Sequence, residues 1–495
     1  MPISLSVYNT PGVYVEENTW GVTPASLSDH SAVYLLGYSS QVDAPKNIPT
    51  FVQSFDDFVN RFGSTSLSIP VVKAFFDQRT GSGLYFVNVA ASPSRTLVFS
   101  PLTVDTVFSI TVNGFVHSTT AITGDTALTI AGRLATLVNQ GSATVYLDGL
   151  VLKHAAADTF SFTANITPTI VTAPASPDIQ DVRLTLLRTF DADMPQGFVL
   201  APEFFKRFTL NAELILLQSG IEALCADPAF YWIGVIDCSN AVAISTDIVR
   251  ASQTERALFS SPKGHSSYYA PYVVVELGVT VPASIYVVAT ALRAQRDRGL
   301  QQPPAGKNYP LRGVTALTAT ITKTQQSVIN PLGINALRFF PNVGFCIYGA
   351  RTLSTNPFYR FYLVRLVLNI LAGTLEVAYD NLVLSGVDGL GTTFANIKGT
   401  GVSVCERLRV AGALYGATPD LAYRVVCDSS NNLPLDLENG RVAVDVIIVP
   451  TATLEVMVVR MARAAIGSPL TETVTGTVNT ATTSITTPQV SIPKA

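Results

Sequence analysis

The chain has 495 residues, 48% of them hydrophobic and only 14% charged, with a net charge of −3 at pH 7. That length exceeds what one hydrophobic core accommodates, so several domains are expected, and the slight acidic balance argues against nucleic acid, whose phosphates require a basic face. Ordinary soluble domains carry roughly a quarter charged residues, so a chain this poor in charge is expected to cover much of its surface against other subunits.

Residues 1–20 read as an extended arm: Val13, Tyr14 and Val15 are strand formers and Pro11 disfavours a helix. An apolar strand over 31–38 follows, then a helix over 54–62 with Ser54 as N-cap, a helix over 70–79 with Pro70 in its first turn, and a buried strand over 84–90. From 95 to 177 the chain turns rich in Thr, Val and Ser. Hairpin signals at Asn113-Gly114 and Asp148-Gly149 flank a helix over 124–139 carrying Leu128, Ile130, Leu134 and Leu137, which predicts a small β-rich inserted domain.

Alternation resumes between 178 and 352, with a strand over 231–238, a helix over 245–260, a strand over 271–277 and a helix over 281–298. The stretch 353–467 predicts helices over 357–371 and 404–415, strands over 423–428 and 441–450, and a helix over 453–465. A Thr-rich, nearly uncharged tail occupies 468–495 and favours extended chain. The expected fold class is multidomain α/β and α+β, with an arm (1–20), a first core segment (21–94), the insertion (95–177), a middle α/β domain (178–352), a C-terminal domain (353–467) and the tail.

Catalytic and metal chemistry find little support. Of His30, His117, His154 and His265, none forms a pair at ligand spacing, and His117 and His154 read as packing residues. Ser266 lacks the second glycine of a nucleophile elbow, since Tyr268 stands there, and the adjacent His265 points away from it on extended chain. The run Gly386-Val387-Asp388-Gly389-Leu390-Gly391 lacks the Lys and Ser/Thr of a phosphate loop. Arg293, Arg296 and Arg298 read as a solvated helix face. Cys225, Cys238, Cys346, Cys405 and Cys427, odd in number and widely spaced, read as reduced thiols. No membrane span is expected, because residues 272–291 contain Glu276 and Pro282 and residues 361–372 contain Arg365 and Asn369. Residues 1–10 lack the features of a secretory leader. No enzyme activity and no cofactor is expected; the runners-up are an α/β hydrolase using Ser266 and His265, and a β-rich surface adhesin.

Four separated stretches resemble the contractile phage tail sheath family, and they occur in its order. They are Pro11-Gly12-Val13-Tyr14-Val15-Glu16-Glu17 with residues 54–63 and 71–76; Pro282-Ala283-Ser284 with Arg296-Asp297-Arg298-Gly299 and Pro304-Ala305-Gly306; Leu332-Gly333-Ile334-Asn335 with residues 348–353; and Gly412-Ala413-Leu414-Tyr415-Gly416 with residues 425–428, Asn432 and Gly440. The chain departs from the family at Tyr348, where a tryptophan is common, at Ala378-Tyr379-Asp380-Asn381, where Glu-Pro-Asn is frequent, and in the tail after Gly467, which is longer than in the shorter members.

The resemblance implies a discontinuous sheath core formed by N- and C-terminal segments and a structural role in a virion tail, assembled in the bacterial host cytoplasm. Its partners would be further copies of the chain, an inner tail tube, and baseplate and tail terminator proteins, without nucleic acid or membrane insertion. It further implies that Val13, Tyr14, Val15 and Glu16 form a strand donated to a neighbour, that Val442, Val444, Val446 and Ile448 belong to the accepting sheet, with the C-terminal tail as a second donated strand, and that Arg460 and Arg463 meet the tube.

Overall fold

The apolar runs that alternate with helices in the sequence become parallel strands. The computed structural model describes residues 27–141, 145–154, 158–172, 176–191, 193–380 and 382–459. Its first strands are β1 (Ala32–Gly37), β2 (Pro49–Val52) and β3 (Leu84–Asn88), with α1 (Phe55–Phe62) and α2 (Ile69–Asp77) between the last two. Ser54 caps α1 by accepting the Asp57 N–H at 3.1 Å, and Pro70 lies in the first turn of α2.

The next segment departs from the main sheet. It comprises β4 (Ser94–Phe99), β5 (Val107–Val112), β6 (Phe115–Thr120), α3 (Ala127–Gly141), β7 (Tyr146–Asp148), β8 (Val151–Lys153), β9 (Phe160–Phe162) and β10 (Ile166–Val171). Both expected hairpins form, and Asn113, Gly114 and Gly149 supply the positive φ their turns need. Two small sheets, ordered β10-β4-β8-β7 and β6-β5-β9, enclose their own core of Leu97, Phe108, Ile110, Leu134 and Leu152 among others. The helix buries Ile130, Ala131, Leu134 and Val138 while Leu128 and Leu137 are exposed, so its apolar stripe is rotated from the expected one.

A buried charge cluster ties this segment to the helix that follows, α4 (Ile179–Arg188). Lys153 is 0% exposed; its Nζ lies 2.7 Å from Asp178 Oδ2 and 3.2 Å from Asp181 Oδ2, and donates to the Ser92 carbonyl. Asp181 also accepts the Ser92 N–H at 3.1 Å. Burial, then the Asp178 charge, push the Asp181 carboxyl up to about 6, and the Lys153 ammonium opposes them. On the same helix Arg183 pairs with Asp148, and Arg188 donates to the carbonyls of Asn139 and Val145.

The chain then returns to the main sheet through β11 (Gly197–Leu200), α5 (Pro202–Arg207), α6 (Asn211–Ala226), β12 (Ile233–Asp237), α7 (Asn240–Ala243), α8 (Ile248–Arg256), β13 (Ser266–Ala270), the short β14 (Val273–Val274) and β15 (Thr280–Val281), α9 (Ser284–Arg298), β16 (Ala316–Leu317), α10 (Lys323–Ile329), β17 (Ile334–Phe340) and β18 (Gly344–Ile347). Eight strands order as β18-β17-β13-β12-β11-β1-β3-β2, parallel from β17 to β3 and antiparallel at both edges. Helices cover both faces, as a parallel sheet requires. Val33, Leu35, Ile233 and Val235 enter one core with α9, whereas Tyr34, Leu36, Ile236 and Trp232 enter the other with α6.

Several expectations change. The segments 21–94 and 178–352, expected as separate layers, share this one sheet, because β1 pairs with β11 on one side and β3 on the other. The strand expected over 271–277 shrinks to the two residues of β14, and the main-sheet strand lies just before it, at β13. α8 is shorter than the predicted 245–260. Of the expected solvated face, Arg296 and Arg298 are exposed, but Arg293 is not: it is 7% exposed with its guanidinium over the Tyr309 ring, and Arg296 also donates to the Thr80 carbonyl at 2.9 Å. All five cysteines are free and buried.

The C-terminal part is built on α11 (Tyr362–Asp380), α12 (Thr392–Val410), β19 (Tyr423–Val426) and β20 (Asp445–Ile448), with short helices at Pro419–Ala422 and Pro434–Glu438. α11 starts after a 3₁₀ turn at Pro357–Tyr359 and extends well past the predicted end; α12 begins at Thr392, upstream of the expected 404, and stops at Val410. α11 is long and apolar enough to cross a membrane, yet half of that stretch is buried within the protein, where Asn369 donates to the Trp232 carbonyl at 3.1 Å. Residues 453–459, expected to begin a helix, have no regular secondary structure; Val456, Val458 and Val459 favour extended chain.

Candidate assembly interface

β19 and β20 form an antiparallel pair in which Tyr423 faces Ile448 and Val425 faces Val446. A two-stranded sheet is marginal in water unless backed by other structure. Here α12 and the main core back it: Val444, Val446 and Ile448 pack against that core, while Asp445 and Ile447 face outward. Gly401 of α12 permits the close approach, since a Cβ there would lie 2.7 Å from the Tyr379 hydroxyl and 3.0 Å from Val425. At the strand's side, Glu406 accepts from the Tyr423 hydroxyl at 3.1 Å and from Arg409 at 2.5 and 2.8 Å, and the Arg409 bonds hold its carboxyl below the usual range.

The loop before β20 is pinned by two side-chain amides. Asn432, 3% exposed, accepts the Ala443 N–H at 2.6 Å and donates to the Ala443 carbonyl at 3.0 Å. Asn431 donates to the Val426 carbonyl at 3.1 Å. These bonds imitate a strand partner and set the register in which Val442, Val444, Val446 and Ile448 all turn inward, half-buried. Beyond β20 the chain bridges back, Tyr415 N–H donating to the Val449 carbonyl at 2.7 Å. Among the described residues neither β19 nor β20 pairs with a third strand, so the sheet presents main-chain donors and acceptors that a further strand could use.

Of the residues singled out in the sequence, the three valines and one isoleucine expected in the accepting sheet therefore come together; Val446 and Ile448 lie in β20, and Val442 and Val444 in the extended chain before it. Val13, Tyr14, Val15 and Glu16, together with Arg460, Arg463 and the tail, lie outside the described residues. The open sheet edge itself was missed by side-chain patterning.

The residues of the hydrolase reading are arranged differently. Ser266 on β13 is fully buried and its hydroxyl donates to Glu222, which also accepts from Ser261 at 2.8 Å. Burial pushes the Glu222 carboxyl up against these bonds. His265 makes no hydrogen bond to Ser266, and burial followed by the Arg365 and Lys263 charges pushes its imidazole down to about 4. At the glycine-rich loop, Asp388 accepts the N–H groups of Thr392 and Thr393 at 3.2 and 2.9 Å, which holds its carboxyl down to about 2. The donors that would cradle a phosphate at the start of α12 are thus already engaged by the chain itself. Among the described residues no three His, Cys, Asp or Glu side chains gather as a metal site. His154 packs edge-on to Phe160, and the His117 ring sits where a Cβ on Gly141 would fall.

No protein-family model matches the chain, and no curated protein matches it in sequence. Solved structures do match in fold. A chain of the anti-feeding prophage (AFP) baseplate aligns over 93% of this chain and 100% of its own length at 15% identity, with a TM-score of 0.59. A chain of the sheath complex of the extracellular contractile injection system PVC, in its contracted state, covers 93% and 99% at 15% identity with a TM-score of 0.59. The AFP helical sheath in its contracted state covers 92% and 100% at 16% identity with a TM-score of 0.57. The chain has the fold of contractile sheath proteins across nearly its whole length.

Proposed function

We propose that this chain is the structural subunit of a contractile sheath. Copies stack as helically arranged rings around an inner tail tube and shorten on a signal from a baseplate, driving the tube through a target envelope, with a terminator protein at the far end. The protein is located in a virion tail or a phage-derived injection device, assembled in the bacterial cytoplasm. The observation that carries this reading is the incomplete β19/β20 sheet on a contractile sheath fold: its side chains are satisfied inward while its main chain is open to a further strand. Val13–Glu16 of a neighbour would supply one strand and the C-terminal tail another. Such strands act as directional tethers whose hydrogen bonds, each worth about 0.5–1.5 kcal/mol net, persist while other surfaces repack. Arg460 and Arg463 would face the tube.

Negative-stain microscopy of the purified protein tests this, with tubes or stacked rings as the expected result. Deletion of residues 1–17 should leave folded monomers that do not polymerise. Normal tubes from the truncated chain would overturn the donated strand, and a protein that stays monomeric under all conditions would overturn the sheath reading.

A further inference from the structure

A cleft of about 680 Å³ opens beside β2, the edge strand of the main sheet. Its wall is aromatic: Phe51, 47% exposed, lies 5.2 Å centroid to centroid from Tyr85, and Phe76 and Pro195 complete the apolar lining. Gly81 and Gly83 contribute backbone without side chains, and a Cβ on Gly83 would meet the Val52 carbonyl at 2.5 Å. The turn at Arg79 and Thr80 is fixed from behind, because Arg296 donates to both carbonyls. The cleft is therefore preformed, which lowers the cost of filling it. Arg79 stands at its rim, exposed, and among the described residues its guanidinium has no acidic partner.

Two features identify an occupant. Asp29, Ser31 and Ala32 line the same cleft, so the first described residue, Leu27, lies within two residues of it along the chain. That preceding segment contains one tryptophan, Trp20, with Glu16 and Glu17 shortly before it. The nine residues from Trp20 to Asp29 can reach up to about 30 Å, and a short tether holds a group near its site at roughly millimolar effective concentration. We propose that Trp20 of the same chain docks in this cleft against Phe51, Phe76 and Tyr85, with Glu17 facing Arg79. Aromatic stacking and a rim charge pair are the contacts that anchor such segments. The docking would fix the direction in which the arm leaves the body, so that residues 13–16 are presented toward a neighbour from a defined point.

Fluorescence reads this directly, because the chain has two tryptophans and the other, Trp232, is 0% exposed. The Trp20 signal is the difference between the full chain and its Trp20→Phe variant, measured before polymerisation and compared with a free peptide of residues 1–26. The expected result is a blue-shifted Trp20 emission with acrylamide quenching several-fold weaker than in the peptide. Phe51→Ala or Arg79→Glu should each raise quenching toward the peptide value while the Trp232 emission stays unchanged. Quenching equal to that of the peptide would overturn the proposal; so would protection that appears only on polymerisation, which would place a neighbouring chain in the cleft. Trp20 is retained when residues 1–17 are deleted, so its docking can fail while strand donation stands, and the reverse.

Discussion

The eight-stranded sheet and the β19/β20 pair are built from similar strand formers yet behave as opposites. In β12 all five residues are buried and every neighbour is a strand of the same chain. In β20 the four residues alternate between exposed and half-buried, and one neighbour is missing among the described residues. The first sheet is complete in the monomer, so its stability is a property of one chain. The second has two strands among the described residues, held by α12 and two asparagines, and under the proposed function its completion would come from a neighbouring chain.

Substitutions should separate the two. The largest effect is expected in the complete region: Trp232→Ala removes an indole stacked 4.5 Å from Tyr34 and should cost about 3–5 kcal/mol in urea denaturation. A loss below 1 kcal/mol would mean that this core is less tightly packed than its burial indicates. Next comes Asp237, fully buried at the end of β12, where it accepts the N–H and hydroxyl of Ser284, the first residue of α9; burial pushes its carboxyl up to about 7. Between the ordinary carboxylate value and about 7 the folded state keeps a proton that the unfolded state has released. Stability should therefore fall as pH rises through that window, by about 1.4 kcal/mol per unit of difference in pKa. Asp237→Asn should flatten this dependence, and an unchanged pH profile would count against it.

Smaller effects should mark the incomplete region. Asn432→Ala removes both bonds to Ala443 and should cost about 1–3 kcal/mol, read as faster amide exchange in 423–448 with β12 unaffected. Exchange that rises equally in both regions would merge them into one cooperative unit. Ile447→Ser, at an outward position, should change monomer stability by no more than about 0.5 kcal/mol. A cost of 2 kcal/mol would show that Ile447 is already covered within the monomer.

The same contrast decides what could be read from the sequence. Signals carried by a few adjacent residues were legible: the Ser54 cap, Pro70, the Asn113-Gly114 turn and the Thr/Val-rich insertion. β13 was not, because Ser266-Ser267-Tyr268-Tyr269 looks polar, and its burial rests on partners far away in the chain, Glu222 for Ser266 and Glu255 for Tyr268. The first half of α12 was hidden by Gly399, Gly401 and its threonines, whose weak helix propensity is overridden by packing on Tyr379 and Val425. A strand over 441–450 was legible from its residues, whereas its expected role as an acceptor came only from the family resemblance. The free strand edge was not, since main-chain hydrogen bonds leave no mark on side-chain composition.

The segment from β4 to β10 carries a practical consequence. Ser94 and Val171, its first and last paired residues, face each other across one antiparallel register, so the rest of the chain meets it as it would meet the ends of a hairpin. It is in effect an interchangeable module on a two-point socket, a natural site for fusing a reporter or a targeting protein. The socket is charged, however. A replacement lacking Lys153 would leave Asp178 and Asp181 facing each other without a counterion, so a successful graft should bring its own lysine or neutralise Asp181.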